Sequence, residues 1–134
     1  MALNLSVAVR NARLDTIETT ISTAAKLRIF SGAKPTACSD ADPSGQLVEI
    51  ALPSDWLNAA GAGAKTLLGT WSATAGAAGS AASFRIKDTA GTTCHIQGTV
   101  TATGGGGDLT LDNISIANGQ TVTINTFTIT DGNA

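Results

Sequence analysis

The sequence predicts a mainly β protein, an antiparallel, jelly-roll-like β-sandwich preceded by an amphipathic helix at the amino terminus. Residues 83–103 alternate apolar and polar side chains with the period of two that marks a strand with one buried face. Similar short stretches, separated by turn residues, recur along most of the chain, as in sandwiches and jelly rolls. Only 13% of the residues are charged, so Thr, Ser and Asn must supply the polar surface that a β-rich domain needs.

Length and charge limit the classes of function. A chain of 134 residues is long enough for one domain with a buried core. A net charge of −2 provides no field that would hold nucleic acid, and no apolar run approaches the roughly 20 residues that cross a bilayer. The amino terminus lacks the pattern of a secretory signal, so we expect folding in a cytosol, with Cys38 and Cys94 as reduced thiols.

Residues 3–25 are predicted to form the amphipathic helix, with Ser6 as a candidate N-cap. Such a helix can pack on the core or act as an arm that docks on a partner, and both interpretations stay open. We divide the chain into a helical arm, residues 1–25, and a β-sandwich domain, residues 26–134. The apolar positions at helical spacing are Leu3, Val7, Leu14, Ile17, Ile21 and Ala24.

Two strands and a long loop are predicted at the start of the β domain. Residues 26–31 and 46–52 have strand character, and residues 32–45 between them contain the Pro and Gly residues of a loop. Ordered loops of this length are often functional or form contacts. Residues 53–57 are predicted to open a short helical turn, with Ser54 as its N-cap.

A strand around Trp71 and a central hairpin at residues 83–103 follow. The hairpin turns at residues 88–91, where Asp starts the turn and Gly tolerates a positive φ. The side chains predicted to face solvent on this hairpin are Arg85, Lys87, His95, Gln97 and Thr99. The predicted core residues are Phe84, Ile86, Cys94, Ile96, Val100, Phe127 and Ile129.

The last two segments, residues 108–116 and 121–130, are predicted to pair as a hairpin joined by Asn118 and Gly119. The apolar phase slips once in each segment, which predicts a bulge or bend where the pair turns a corner between sheets. The preceding glycine run, residues 104–107, comes before a strand and lacks a following Lys-Ser or Lys-Thr. We therefore expect a mobile hairpin loop there, not a phosphate site.

The residues needed for catalysis are scarce. His95 is the only histidine, and its neighbour Cys94 points to the opposite face of a strand, so the two cannot share a metal ion. No G-x-S-x-G serine elbow is present. We expect no catalytic residue, cofactor or metal ligand set. An enzyme would require a buried His95 beside a carboxylate such as Asp88 or Asp108.

Four strings carry a family resemblance: ALNLSVAVRNARLDTIET, LPSDWL, AGTTCHIQGTVTATGGGGDLTLDN and GQTVTINTFTITDGNA. On these strings, over most of its length, the chain resembles small virion structural proteins of tailed bacteriophages. The resemblance implies a capsid cement or decoration protein on the virion surface, with a jelly-roll-like β-sandwich and without catalytic residues. It also implies the major capsid protein and further copies of the chain, as a dimer or trimer, as partners.

The composition agrees with this role, because low charge and many small residues suit shallow contacts repeated over a lattice. Our hypothesis is a non-enzymatic protein that binds the outside of a capsid and cements its subunits. The same features fit a neck or tail component, and an exposed Trp56 or Trp71 beside a groove would favour binding of host glycans. The residues expected to contact partners are Leu3, Leu5, Val7, Arg10, Arg13, Trp56 and Leu57.

Overall fold

The computed structural model describes residues 3–132, which are mainly β with one short helix. The helix, α1, spans Val7–Ile21. The strands, in chain order, are β1 (Lys26–Phe30), β2 (Gln46–Ala51), β3 (Ala64–Thr66), β4 (Trp71–Thr74), β5 (Gly79–Ser80), β6 (Ser83–Lys87), β7 (Cys94–Ala102), β8 (Leu109–Leu111), β9 (Ser115–Ile116), β10 (Thr121–Ile124) and β11 (Thr128–Thr130).

A five-stranded sheet in the order β2-β1-β6-β7-β8 forms the largest element. Its first three pairings are antiparallel, and the β6–β7 hairpin is the one predicted from alternation. In the hairpin turn, the Asp88 carboxylate accepts hydrogen bonds from the backbone N–H groups of Thr92 and Thr93, and Gly91 has a φ of +73°. The prediction of this hairpin and of β1 and β2 is confirmed.

The β7–β8 pair is parallel, so the expectation of a purely antiparallel sheet is wrong. The glycine run at residues 104–107 allows this geometry, since Gly104 and Gly106 have φ values of +87° and +81°. A Cβ at Gly105 or Gly107 would meet the Thr101 side chain at 2.8 Å. The run links two parallel strands, and the predicted hairpin loop is not found.

Three short antiparallel pairs make up the remaining sheet structure of the described residues: β3–β11, β4–β10 and β5–β9. The strand predicted around Trp71, at residues 66–74, is interrupted at Gly69, where φ is +79°. The predicted final hairpin is wrong, because β9 and β10 pair with β5 and β4 and not with each other. Each phase slip marks the point where the chain leaves one partner strand for another.

The core is continuous and is centred on aromatic rings. Trp71 lies between Trp56 and Phe127, with ring centroids 6.0 and 5.4 Å apart, and Phe127 meets Phe84 edge-on at 5.8 Å. The predicted core residues with buried side chains are Phe84, Ile86, Val100 and Phe127. Those that are only partly buried are Cys94, Ile96 and Ile129.

Helix α1 is shorter than predicted and is held mainly by polar contacts. Ser6 is its N-cap, as predicted, and Ser22 ends it with a φ of +83°. Of its 15 residues only Leu14 and Ile21 are buried, so no continuous apolar stripe runs along it and the prediction of an amphipathic helix over residues 3–25 is wrong in extent. Polar side chains of its inner face bind the segment 56–65 instead.

Two residues predicted to face solvent on the central hairpin are buried. The exposed fraction is 2% for Arg85 and 6% for Lys87. The loop at residues 32–45, which we call the covering loop, lies over this face of the sheet. Its Asp42 carboxylate accepts from Arg85 Nη1 at 3.0 Å and from Lys87 Nζ at 2.6 Å. The alternation placed these side chains on the correct face, and the covering loop removes that face from water.

The helical turn predicted at residues 53–57 is absent. Residues 54 and 55 form a bend, and Ser54 caps no helix. Leu57 instead forms an isolated antiparallel bridge with Leu67. The segment is extended because its backbone is paired on one side with Leu67 and on the other with α1.

Candidate functional site

The segment at residues 3–9, which we call the apolar segment, is the candidate interaction surface. It holds the exposed large hydrophobic side chains of residues 3–132: Leu3 at 68% exposure, Val7 at 48% and Val9 at 46%. Leu5 lies between them and is half-buried. Exposed apolar side chains are ordinary when scattered, and this segment is a candidate because Leu3, Val7 and Val9 lie within seven residues of one another.

The apolar segment continues into α1, whose first turn includes Val7 and Val9. Ser6 Oγ accepts from the backbone N–H of Val9 at 3.2 Å, which sets the start of α1. One turn later, Asn11 Oδ1 accepts from the backbone N–H of Gly63 at 2.9 Å. Asn11 therefore ties the first turns of α1 to the β body.

The next turns of α1 bind more tightly. Glu18 Oε1 accepts from the backbone N–H groups of Trp56 at 3.2 Å and Leu57 at 2.9 Å. Lys65, only 2% exposed, places its Nζ 2.9 Å from Asp15 Oδ1 and 3.0 Å from Glu18 Oε2. Helix and β body are thus joined by charge-assisted hydrogen bonds, which are the stronger class.

These contacts shift the pKa values of Asp15 and Lys65. The backbone N–H of Ala60, followed by the Lys65 ammonium, lowers the pKa of Asp15. Burial acts to lower the pKa of Lys65, but the hydrogen bonds and charges of Asp15 and Glu18 outweigh burial and raise it. At neutral pH, both groups therefore carry their full charges, and α1 stays attached to the body.

The two arginines predicted to contact partners are engaged within the chain. The Arg10 guanidinium packs against Gly63, whose φ of +76° and missing Cβ leave room for it. Arg13 Nε lies 3.2 Å from Asp131 Oδ2 and keeps 56% of its side chain exposed. Arg13 therefore remains on the surface, next to the apolar segment in sequence, while Arg10 is half-buried.

Trp56 and Leu57, also predicted to contact partners, lie in the core and are 0% and 1% exposed. The indole Nε1 of Trp56 donates to the Ser22 carbonyl at 3.2 Å, and its ring packs on Trp71. Neither side chain offers surface to a partner, so this prediction is wrong. The sequence, in turn, did not single out Val9, because it lies off the helical stripe that was used to select candidates.

His95 lies in a shallow cleft between β7 and α1, lined by Thr16, Ile17, Thr20 and Ile96. The carboxylates considered as its catalytic partners have other contacts: Asp88 accepts from the turn amides, and Asp108 from the backbone N–H of Thr99 at 2.9 Å. Within residues 3–132, no group of three His, Cys, Asp or Glu side chains is arranged to hold a metal ion.

No protein-family model, curated protein or solved structure matches this chain. None of the helices in the described part of the chain has the length and apolar character required to span a membrane.

Proposed function

We propose that this protein is a structural component of a tailed-phage particle that binds the outside of the capsid and cements contacts between major capsid subunits. The observation that carries the proposal is the set of exposed apolar side chains in the segment at residues 3–9, at the start of α1. This segment would bind the major capsid protein. Neighbouring copies of the chain would contact one another around a symmetry axis, as a dimer or trimer.

The helical part of the apolar segment is already ordered before binding. Helix α1 fixes the backbone beside Val7 and Val9, so little conformational entropy is lost when these side chains are buried by a partner. One such contact is weak, but repetition over a lattice multiplies the gain through effective concentration. A cement protein needs such a surface and no deep pocket.

The proposal includes a jelly-roll-like β-sandwich for the body. One support is that the five-stranded sheet and the short strand pairs share a core. In this core, Phe84 of β6 packs on Phe127, and Phe127 packs on Trp71 of β4. The backbone N–H of Gly76 also donates to the carbonyl of Leu47 on β2, at 2.9 Å, which joins the two sets of strands.

A neck or tail position is the competing structural role, and binding of host glycans is a variant of it. Glycan binding was to use an exposed Trp56 or Trp71 as a platform for the sugar ring. Both indoles are 0% exposed, which removes the main support for that variant. The neck and the tail differ from the shell in copy number, which can be measured.

The first experiment is quantitative mass spectrometry of purified particles, with the copy number expressed relative to the major capsid subunit. We expect a ratio comparable to that of the capsid subunit. A far smaller ratio would assign the protein to the neck or tail and contradict cementing, and absence from the particle would end the structural proposal.

The second experiment tests the apolar segment. The triple variant Leu3→Asp, Val7→Asp and Val9→Asp should keep the thermal midpoint of the wild type within a few degrees and lose particle binding at least tenfold, measured by co-sedimentation with particles stripped of the protein. The matched control carries the same three charges at exposed polar or small positions of α1: Ala12, Thr16 and Thr19. Equal binding by the two variants would show that the apolar segment is not the contact surface.

A further inference from the structure

The covering loop brings two cysteines together that are 56 positions apart in the sequence. Cys38, on the loop, and Cys94, the first residue of β7, have their sulfur atoms 2.9 Å apart, and both are half-buried free thiols. We propose that Cys38 and Cys94 are a disulfide-forming pair that, when oxidised, locks the covering loop onto the sheet. A bond of about 2.05 Å requires the sulfurs to approach by roughly 0.9 Å.

The loop holds Cys38 in position by contacts that do not involve sulfur. At its base, the backbone N–H groups of Ser31 and Gly32 donate to the carbonyls of Gly45 and Ser44, at 2.8 and 3.0 Å. Near its tip, the carbonyls of Ala37 and Asp40 accept from the buried Arg85 guanidinium, at 3.1 and 2.9 Å. The thiols are therefore juxtaposed by the fold before any bond forms, which is the condition for a high effective concentration.

A two-electron oxidant can reach the pair. An open cleft of about 550 Å³ borders both cysteines and is also lined by Asp42, Lys87 and Thr92. The pair lacks further ligands that would turn it into a metal site, because no group of three metal-binding side chains exists within residues 3–132. The chemistry that remains for two adjacent thiols is formation of a disulfide.

The reaction balances with a small disulfide such as glutathione disulfide. Each cysteine gives up its thiol proton, one S–S bond forms between them, and the two electrons cleave the S–S bond of the oxidant to leave two glutathione thiols. Burial, followed by the contact with Cys38, raises the pKa of the Cys94 thiol to about 12. Since the thiolate is the attacking species, oxidation should accelerate as the pH rises.

The proposal concerns a part of the chain separate from the apolar segment and does not depend on the capsid role. It agrees with reduced thiols in a cytosol, where glutathione and thioredoxin systems keep cysteines reduced. Outside a cell the same pair would close. The covering loop would then be joined covalently to β7, above the buried Arg85 and Lys87.

The test uses the wild-type chain in redox buffers with defined ratios of glutathione to glutathione disulfide, quenched in acid and analysed as intact mass after alkylation. We expect a species lighter by two hydrogen atoms, without a glutathione adduct. The fraction of this species at each glutathione ratio gives the effective concentration of one thiol at the other. This effective concentration should be about 30- to 900-fold higher in native buffer than in 8 M urea, a ratio equivalent to roughly 2–4 kcal/mol. Equal values in the two conditions would overturn the proposal.

Two further measurements test the same bond. The thermal midpoint of the oxidised form should exceed that of the reduced form by about 6–15 °C. The double variant Cys38→Ser and Cys94→Ser should show no dependence on reductant. Mixed glutathione disulfides or covalent dimers as the main native products would contradict an intramolecular bond.

Discussion

Replacement of Asp42 by alanine tests the role of the covering loop as the cover of a buried cationic pair. The carboxylate keeps 29% of its side chain exposed, whereas Arg85 and Lys87 keep 2% and 7%. Removing one partner of a fully buried pair costs about 3–5 kcal/mol. Arg85 would keep its carbonyl acceptors, and the site is partly wet, so we expect a loss of about 2–3 kcal/mol in the free energy of unfolding.

Urea denaturation at pH 7 in the presence of reductant measures this loss. With a slope of about 1.5–2 kcal/mol per M, the midpoint should fall by roughly 1–2 M. Adding Lys87→Met to the Asp42→Ala chain should recover about 1 kcal/mol, because it removes a buried ammonium that has lost its counter-charge. Asp112→Ala is the matched control, since this exposed carboxylate accepts only a 3.4 Å hydrogen bond from Asn125, and the midpoint should stay unchanged.

Two results would refute the reasoning. A loss below about 0.5 kcal/mol for Asp42→Ala, the usual range of surface substitutions, would mean that the cations are not buried under the loop in solution. A further loss on adding Lys87→Met would mean that the Lys87 ammonium has another stabilising partner. Either result would also count against the expectation that the covering loop holds Cys38 in a fixed position.

Three other predictions concern acid stability and the attachment of α1. Burial acts to raise the pKa of Asp42, but the hydrogen bonds and charges of Lys87 and Arg85 outweigh burial and lower it. The free energy of unfolding should therefore be constant above about pH 5 and decline toward pH 2. Urea midpoints across that range measure the decline, which should be less steep in the Asp42→Asn variant. Glu18→Ala, which removes the acceptor of two backbone amides, should cost about 2–3 kcal/mol in urea denaturation, against no loss for the neighbouring Thr19→Ala. Gly63 has a φ of +76° and contacts the Arg10 guanidinium, so Gly63→Ala should lower the free energy of unfolding by about 1–3 kcal/mol. Adding Arg10→Ala should return part of this loss in the same assay. Full stability of Gly63→Ala would contradict the described packing.

The sequence predicted the parts of the fold that depend on neighbouring residues. The β6–β7 hairpin is local, and its Asp88 and Gly91 form the turn that their chemistry favours. The last strands were mispaired because their partners, β3, β4 and β5, lie tens of residues earlier in the chain. Turn chemistry at Asn118 and Gly119 fixes a change of direction and does not decide which strand is bound next.

The candidate site was predicted in part for a similar reason. Leu3 and Val7 are exposed as an interaction segment requires, but one helical stripe was assumed to run through both the exposed and the packed part of α1. The burial of Trp56 depends on its contact with Trp71 and on Glu18 as acceptor for its amide. Such contacts between distant segments leave no periodic signal in the sequence.

The pairing of the last strand has a consequence for how the protein is made. Strand β11, Thr128–Thr130, pairs with β3, and Phe127 just before it covers the Trp71 ring. During synthesis, the edge of β3 and the side of the Trp71 ring that meets Phe127 therefore stay uncovered until residues 127–130 have left the ribosome. The core cannot be completed before these residues emerge, and premature termination before residue 127 releases a chain with an uncovered core that is prone to aggregate.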